Sequence, residues 1–417
     1  MTTRVTPPPV GNLAPAPSAV RRLARSAERV RLPRQPLVRN LIFFVLGGAF
    51  FYVITVSVSA YNDFQIGEIA LYAVVLAGLS LLTGLNGQFS LGQGAFMIVG
   101  AYTLALLQLH APMNLALELV IATVVAAAAG VVVGVPAARL SPPYLAGVTL
   151  LLALGLPQLA DQYGSVFGGE QGLTTTMPVA PGSISSEQWL AWIQIFCAMV
   201  VILLLANLVR SRFGRNFRAV RDDAVAASIS GIHVARTKVL AFAISAGCAG
   251  LGGALLALST GVVNVGEFPL SLSIALLAAM VLGGAGSLIG IWWGAVALVY
   301  VPTWSTSLSK HLSLGTSAAA YLSDAIFGAV LIVAMLVAPT GIQGGIRWVL
   351  RHLWAAVTGA PDVAAAAAAG GGATPGAPAE IAPVAIAPAR QKGRRARAPA
   401  VHPHIWHNAG QKGEERT

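Results

Sequence analysis

Seven Arg and Lys side chains fall within RSRFGRNFRAVRDDAVAASISGIHVARTK (210–238), in a chain that is only 10% charged. Cations at that density can pair with carboxylates, phosphates or anionic head groups. Inside the cluster, Asp222 and Asp223 suit a helix start, AVAASIS (224–230) is short and rich in small residues, and Gly231 suits a helix stop. The pattern predicts a stub of about two turns whose Ala and Ser surface fits a groove in another protein. Asp222, Asp223, Arg215, Arg218, Arg221 and Arg236 could then form ion pairs at the rim.

A second set of polar groups lies among glycines. GLNGQFSLGQGAF (84–96) carries Gly87, Gln88, Ser90, Gly92 and Gln93, and GGAGSLIGIWWGA (283–295) carries Gly284, Gly286 and Ser287. Neutral amides and hydroxyls both donate and accept hydrogen bonds, so Gln88, Ser90 and Gln93 are candidate solute-facing groups. Each segment follows one apolar run and introduces another. Broken apolar helices in related halves of a chain mark a translocation path, because unwound backbone is tolerated at membrane depth only where protein or water covers it.

Other chemistries lack their residues. There is no G-x-x-x-x-G-K-[ST] phosphate loop, and the glycines of GGAGSLIG do not follow a soluble strand, so no nucleotide site is expected. Cys197 and Cys248 have no metal-like spacing and read as small apolar packing residues. His402, His404 and His407 sit on a low-complexity tail and read as incidental. No metal, cofactor or catalytic residue is expected. Glu68, Glu118, Asp161 and Asp324 lie near the ends of apolar runs and read as interfacial, not as a proton relay. Uphill movement of a solute would therefore draw its free energy from another polypeptide.

The elements that must position these groups are membrane spans. The chain is 56% hydrophobic with 45 glycines, and its mean hydropathy is +0.74. Apolar runs of span length recur at about 41–60, 66–85, 93–109, 116–135, 143–160, 189–209, 239–260, 271–284, 289–306 and 320–339, which predicts an all-α polytopic protein of about ten spans (eight to ten). Within 239–260, Ser245, Ala249 and Gly253, flanked by Ala246, Gly250 and Ala254, recur every four residues and predict a packing seam.

Charge is segregated. Eight Arg lie in residues 1–40, seven Arg or Lys in 210–238, nine beyond residue 340, and only Arg139 and Lys310 elsewhere. Phosphate readers do not alternate basic clusters with lipid-length apolar runs, so the net charge of +11 indicates no nucleic-acid partner. The positive-inside rule places all three clusters, and with them both termini, in the cytoplasm. Residues 1–40 read as a disordered basic Pro/Arg-rich tail, 41–345 as the transmembrane domain, and 346–417 as a disordered Ala/Gly/Pro-rich basic tail. The start shows no cleavable signal pattern.

Several ordered motifs resemble the membrane permease subunit of the branched-chain amino-acid ABC importer family. They are GLNGQFSLGQGAFMIVGAY (84–102), FGGEQGL (167–173), SRFGRNFRAVRDDAVAASISGIHVARTKVLAFAISAGCAGLGGALLA (211–257), MVLGGAGSLIGIWWGA (280–295) and APTGI (338–342). The resemblance covers roughly residues 66–346. It implies that DDAVAASISGI is a cytoplasmic coupling loop docking on an ATPase subunit, with Ala226, Ala227 and Gly231 matching the family's Ala-Ala-x-x-x-Gly core. It implies four further partners or settings: ABC ATPase subunits, a second homologous permease, an extracytoplasmic substrate-binding protein, and the bilayer of a bacterial plasma membrane. The chain departs from the family at Gln93, where many members carry His, at Val225, where the general importer motif has Glu, and at Pro157, near a position where relatives often carry a carboxylate. The function implied is ATP-driven import of branched-chain amino acids. A urea or short-amide importer shares most of these motifs, and an ATP-independent channel or carrier is the reading from another class.

Overall fold

Long apolar runs without a polar face can only be helices buried in protein or lipid. A computed structural model of the chain describes residues 60–140, 142–182 and 184–311, with short pieces at 47–48, 55, 325–326, 328–329 and 341–345. The two tails, most of the first and tenth expected spans, Asp324 and the three tail histidines lie outside the described residues.

Eight long helices coincide with the second to ninth expected spans: α1 (Ala60–Leu79), α2 (Gln93–His110), α3 (Leu115–Ala137), α4 (Pro142–Gln162), α5 (Ser186–Arg210), α8 (Val234–Thr260), α9 (Leu270–Gly283) and α10 (Gly290–His311). Two shorter helices, α6 (Arg212–Asp222) and α7 (Ala224–Ile229), lie between α5 and α8. Among the described residues, six helical stretches are long and apolar enough to cross a membrane by length and composition. The all-α polytopic class thus holds, with one pair of two-residue strands, β1 (Leu173–Thr174) and β2 (Val262–Val263), among the described residues.

Two boundaries differ from expectation. α1 begins at Ala60, not near residue 66, so Asp63 lies in its first turn and Glu68 two turns in, instead of at the span's edge. Tyr61, Asn62 and Asp63 are compatible with a helix start, and a hydropathy window dilutes them. The second difference is α6, where a basic loop had been expected.

The core is built on α1 and α8. Within their apolar windows 83% and 78% of residues are buried, against 28% for α3 and 22% for α4, so α1 and α8 are central and α3 and α4 peripheral. Small side chains explain the close packing. The α8 seam is buried as expected, with Ser245, Ala246, Ala249 and Ala254 at most 1% exposed. Its neighbours come from three helices: Gly78 of α1 faces Ser245 and Cys248, Gly100 of α2 faces Gly250, and Gly130 of α3 faces Ala246. A Cβ at Gly253 would overlap the Met97 carbonyl of α2. Cys248 is buried in this seam and Cys197 is partly buried, both as free thiols.

Hydrogen bonds sort the connections onto two ends. At one end, β1 pairs with β2 in antiparallel register, Leu173 opposite Val263. Thr175 Oγ1 donates to Ala257 O (2.6 Å), Thr176 N donates to Gln108 Oε1 (2.9 Å), and Gln108 Nε2 donates to Glu118 Oε2 (3.1 Å). Glu118 also accepts from Met113 N, so it acts as a clamp for the α2–α3 connection. At the other end, both glycine-broken segments meet the basic helices, and the candidate site lies there.

Candidate functional site

The stub forms as the sequence predicts, from caps rather than from a core. Asp223 Oδ1 accepts from Val225 N (2.8 Å) and Ala226 N (3.0 Å), closing the start of α7. At the other end Gly231 adopts φ +83°, Gly231 N donates to Ser228 O and Ile232 N donates to Ala227 O, each at 3.0 Å. That pair of bonds satisfies the last carbonyls of a six-residue helix. Ala227 is buried against the body, whereas Ala226, Val225 (69% exposed) and Ile229 (83% exposed) face outward one turn apart. The stub therefore presents a small apolar ridge.

Asp222 does not start this helix. It is the last residue of α6 and is exposed, and Asp223 alone is both the C-cap of α6 and the N-cap of α7. Phe217 and Val220 bury one face of α6, and their three-residue spacing with Gly214 was the available signal. Ser211 Oγ accepts from Phe213 N to cap this helix. The arginines on it divide their work. Arg218 donates from Nη2 to Val209 O (3.1 Å) and from Nε to Gly214 O (3.2 Å), tying α6 to the end of α5.

Arg221 reaches the other way. Its Nη1 donates to the carbonyl of Gly84, in the π-helical turn Ser80–Leu85 that ends the first long helix. Gly87, at φ +73°, lies where a Cβ would press on the Arg221 side chain at 3.1 Å. A π turn leaves the chain wide and its carbonyls turned aside, which is why such turns recur at functional positions.

The second broken segment closes on the same place. A Cβ at Gly84 would overlap the backbone of Gly286, so the two breaks, some 200 residues apart, touch backbone to backbone. Gly286, at φ +81°, donates its N–H to Ser80 Oγ (3.0 Å). Gly284, at φ +112°, packs against Gly341, and Ser287 Oγ accepts from Gly290 N (3.2 Å) to start α10.

The predicted polar groups are brought together but turned inward. Gln88, Ser90 and Gln93 are 4%, 1% and 1% exposed. Gln88 Nε2 donates to Lys238 O (3.1 Å) on α8, and Thr83 Oγ1 donates to Gln88 O (3.0 Å). Ser90 Oγ accepts from Gly92 N (3.3 Å), Gln93 Nε2 donates to Ser245 Oγ (2.7 Å), and Gly94 N donates to Ser273 Oγ (3.0 Å). A Cβ at Gly92 would crowd the Thr149 carbonyl of α4 at 3.1 Å. Of the five buried polar atoms without a hydrogen-bond partner among the described residues, three belong to this segment: Gln93 Oε1 and both amide atoms of Asn86; the others are Asp63 Oδ1 and Tyr102 Oη. Asn86 and the half-exposed Phe89 belong to the segment although residue type alone did not single them out. The arrangement forms a joint: two interrupted helices, one basic helix and one capped stub share hydrogen bonds at one end of the bundle.

The family of branched-chain amino acid transport system permease components matches residues 63–335. The chain belongs to that family. Among curated relatives, it is similar to the high-affinity branched-chain amino acid transport system permease protein LivM of Salmonella typhimurium, with 33% identity over 254 residues, 55% of this chain and 60% of that one. It is also similar to the permease protein LivH of the same organism, with 27% identity over 297 residues, 66% of this chain and 91% of that one. A probable LivM of Methanocaldococcus jannaschii is 26% identical over 234 residues, 54% of this chain and 68% of that one. The chain thus spans 60% of the length of the bacterial LivM relatives. No solved structure matches it. Family membership places the joint in a multi-pass membrane permease component.

Proposed function

We propose that the chain is a transmembrane permease subunit of an ATP-driven importer and that it translocates branched-chain amino acids across a bacterial plasma membrane. ATP hydrolysis occurs on partner ATPase subunits, a second homologous permease completes the path, and an extracytoplasmic binding protein delivers the solute. The likeness to LivM and LivH, both permease proteins of high-affinity branched-chain amino acid transport systems, supports the solute class and the two-permease arrangement. Both termini and the 210–238 segment face the cytoplasm, because cations are retained on that side.

The observation that carries the coupling is the Arg221–Gly84 hydrogen bond. In this reading the ATPase grips the ridge of Val225, Ala226 and Ile229. Closure of the ATPase tilts α6 and α7 together, since Asp223 caps both, and Arg221 transmits the tilt to the broken segment. Gln88, Ser90, Gln93, Gly87 and Gly92, with Gly284, Gly286 and Ser287, form the moving wall of the path. The unpartnered amide atoms of Asn86 and Gln93 supply its polar contacts when the wall opens.

The test is uptake in a strain lacking the endogenous system and expressing this chain with its partners. Labelled leucine, isoleucine or valine should accumulate in an ATP-dependent manner and labelled urea should not. Urea accumulation without leucine uptake would replace the solute, and accumulation without any ATPase subunit would overturn the coupling.

A further inference from the structure

Away from the joint, a cleft of about 420 Å³ opens between the end of α3 and the start of α8. Its floor is apolar, formed mainly by Val131, Val135, Val239 and Leu240. At its mouth lie Arg139, just past the end of α3, and Arg236, in the first turn of α8. Both arginines are exposed, and neither side chain has a hydrogen-bond or ion-pair partner among the described residues. No Asp or Glu lines the cleft. Arg236, which the sequence offers as a rim charge of the stub, also borders the hollow behind Gly231.

We propose that this cleft binds an anionic phospholipid, with an acyl chain along the α3–α8 floor and the phosphate between Arg139 and Arg236. Three features select that occupant. The floor is exposed on the outside of the bundle, on the peripheral helix α3, where a membrane protein meets lipid. The two cations lie at the helix ends, where a membrane-crossing helix leaves the hydrocarbon for the head groups. A soluble anion would leave the apolar floor uncovered, and a zwitterionic lipid would bring its own cation to two guanidinium groups; an anionic lipid satisfies floor and mouth together. The start of α8 adds unpaired backbone N–H groups at the same mouth, because His233 makes no side-chain cap. The bound head group would rest against the hollow that ends the coupling stub, so lipid composition would bear on the position of that stub. This inference rests on the membrane placement of the helices. Assigning the lipid to the cytoplasmic leaflet rests on the orientation proposed above.

The experiment uses the full chain with its partner subunits, extracted in mild detergent after equilibration with phosphatidylglycerol or phosphatidylcholine, and retained lipid is counted by native mass spectrometry. Wild type should retain phosphatidylglycerol in preference to phosphatidylcholine. R139Q/R236Q should lose that preference by about twenty-five-fold, since each surface cation facing an anionic leaflet is worth about a factor of five. Leu240→Trp, which fills the floor and leaves both cations, should lower retention of either lipid, and Arg212→Gln, on α6, should match wild type. Soluble glycerol phosphate should not compete. Equal phosphatidylglycerol retention by R139Q/R236Q, competition by glycerol phosphate, or protection of Leu240→Cys from maleimide by a protein subunit in lipid-free complex would each overturn the proposal. Protease mapping that reversed the orientation would move the lipid to the other leaflet without altering these outcomes, so the two failures are distinguishable.

Discussion

Gly231 shows how little of the candidate site depends on packing. Nothing lies within 4 Å of where its Cβ would stand, so only its φ of +83° excludes other residues. Gly231→Val should cost about 1–2 kcal/mol of stub stability and release the ATPase during co-purification, while Gly231→Asn, which tolerates the left-handed region, should retain it. Equal ATPase recovery from both would remove the stub from the interface. Arg221 gives the complementary case, because its contact crosses the molecule. Arg221→Ala removes a charge-assisted hydrogen bond worth about 1.5–3 kcal/mol, so uptake should fall by about ten- to a hundredfold while ATP hydrolysis by the assembled complex continues. Gln88→Ala removes a neutral bond to the Lys238 carbonyl, of about 1 kcal/mol, and should reduce uptake by about fivefold with assembly intact. Wild-type uptake by both variants would exclude the joint from the translocation cycle. Residue types made these positions visible in the sequence, but not their partners: no local pattern pairs the Gln88 amide with the Lys238 carbonyl.

At the scale of elements, the α8 seam was the most legible feature, since a repeat of small residues at intervals of four has one use in a helix that long. Its consequence is testable. Gly253→Ala forces a methyl group into the Met97 carbonyl of α2 and should destabilise the bundle by about 1–3 kcal/mol, seen as a lower melting temperature of the purified complex. Gly182→Ala, in open space on a connection, tests backbone strain alone and should cost less. Unchanged melting for Gly253→Ala would mean that α2 and α8 do not approach so closely. The basic helix α6 was less legible. Five arginines of 210–221 draw attention as charge, and the burial of Phe217 and Val220 appears only once α5 and α8 supply a surface to receive them. The early start of α1 was missed for a related reason: Asn62 and Asp63 are polar, yet Asp63 is 3% exposed because neighbouring elements enclose it.

At the scale of the whole molecule, the proposed function makes this chain one subunit of a machine driven by its partners, and its sequence holds no G-x-x-x-x-G-K-[ST] phosphate loop. Proteoliposomes containing it alone should therefore show no accumulation of labelled leucine against a gradient. Addition of the ATPase subunits, the second permease and the binding protein should start it. Accumulation by the chain alone would contradict both the proposed energy source and the reading of Glu118 as a structural clamp. The sequence by itself determined the solvent, the helical class, the places of the eight long described helices and the two caps of the stub, because each follows from local composition. Only the tertiary structure decided that the two glycine breaks touch, that Arg221 spans from one to the stub, and that Gln88, Ser90 and Gln93 face inward. Those contacts join residues roughly 140 to 200 positions apart, and no local pattern encodes which distant carbonyl an arginine or an amide will meet.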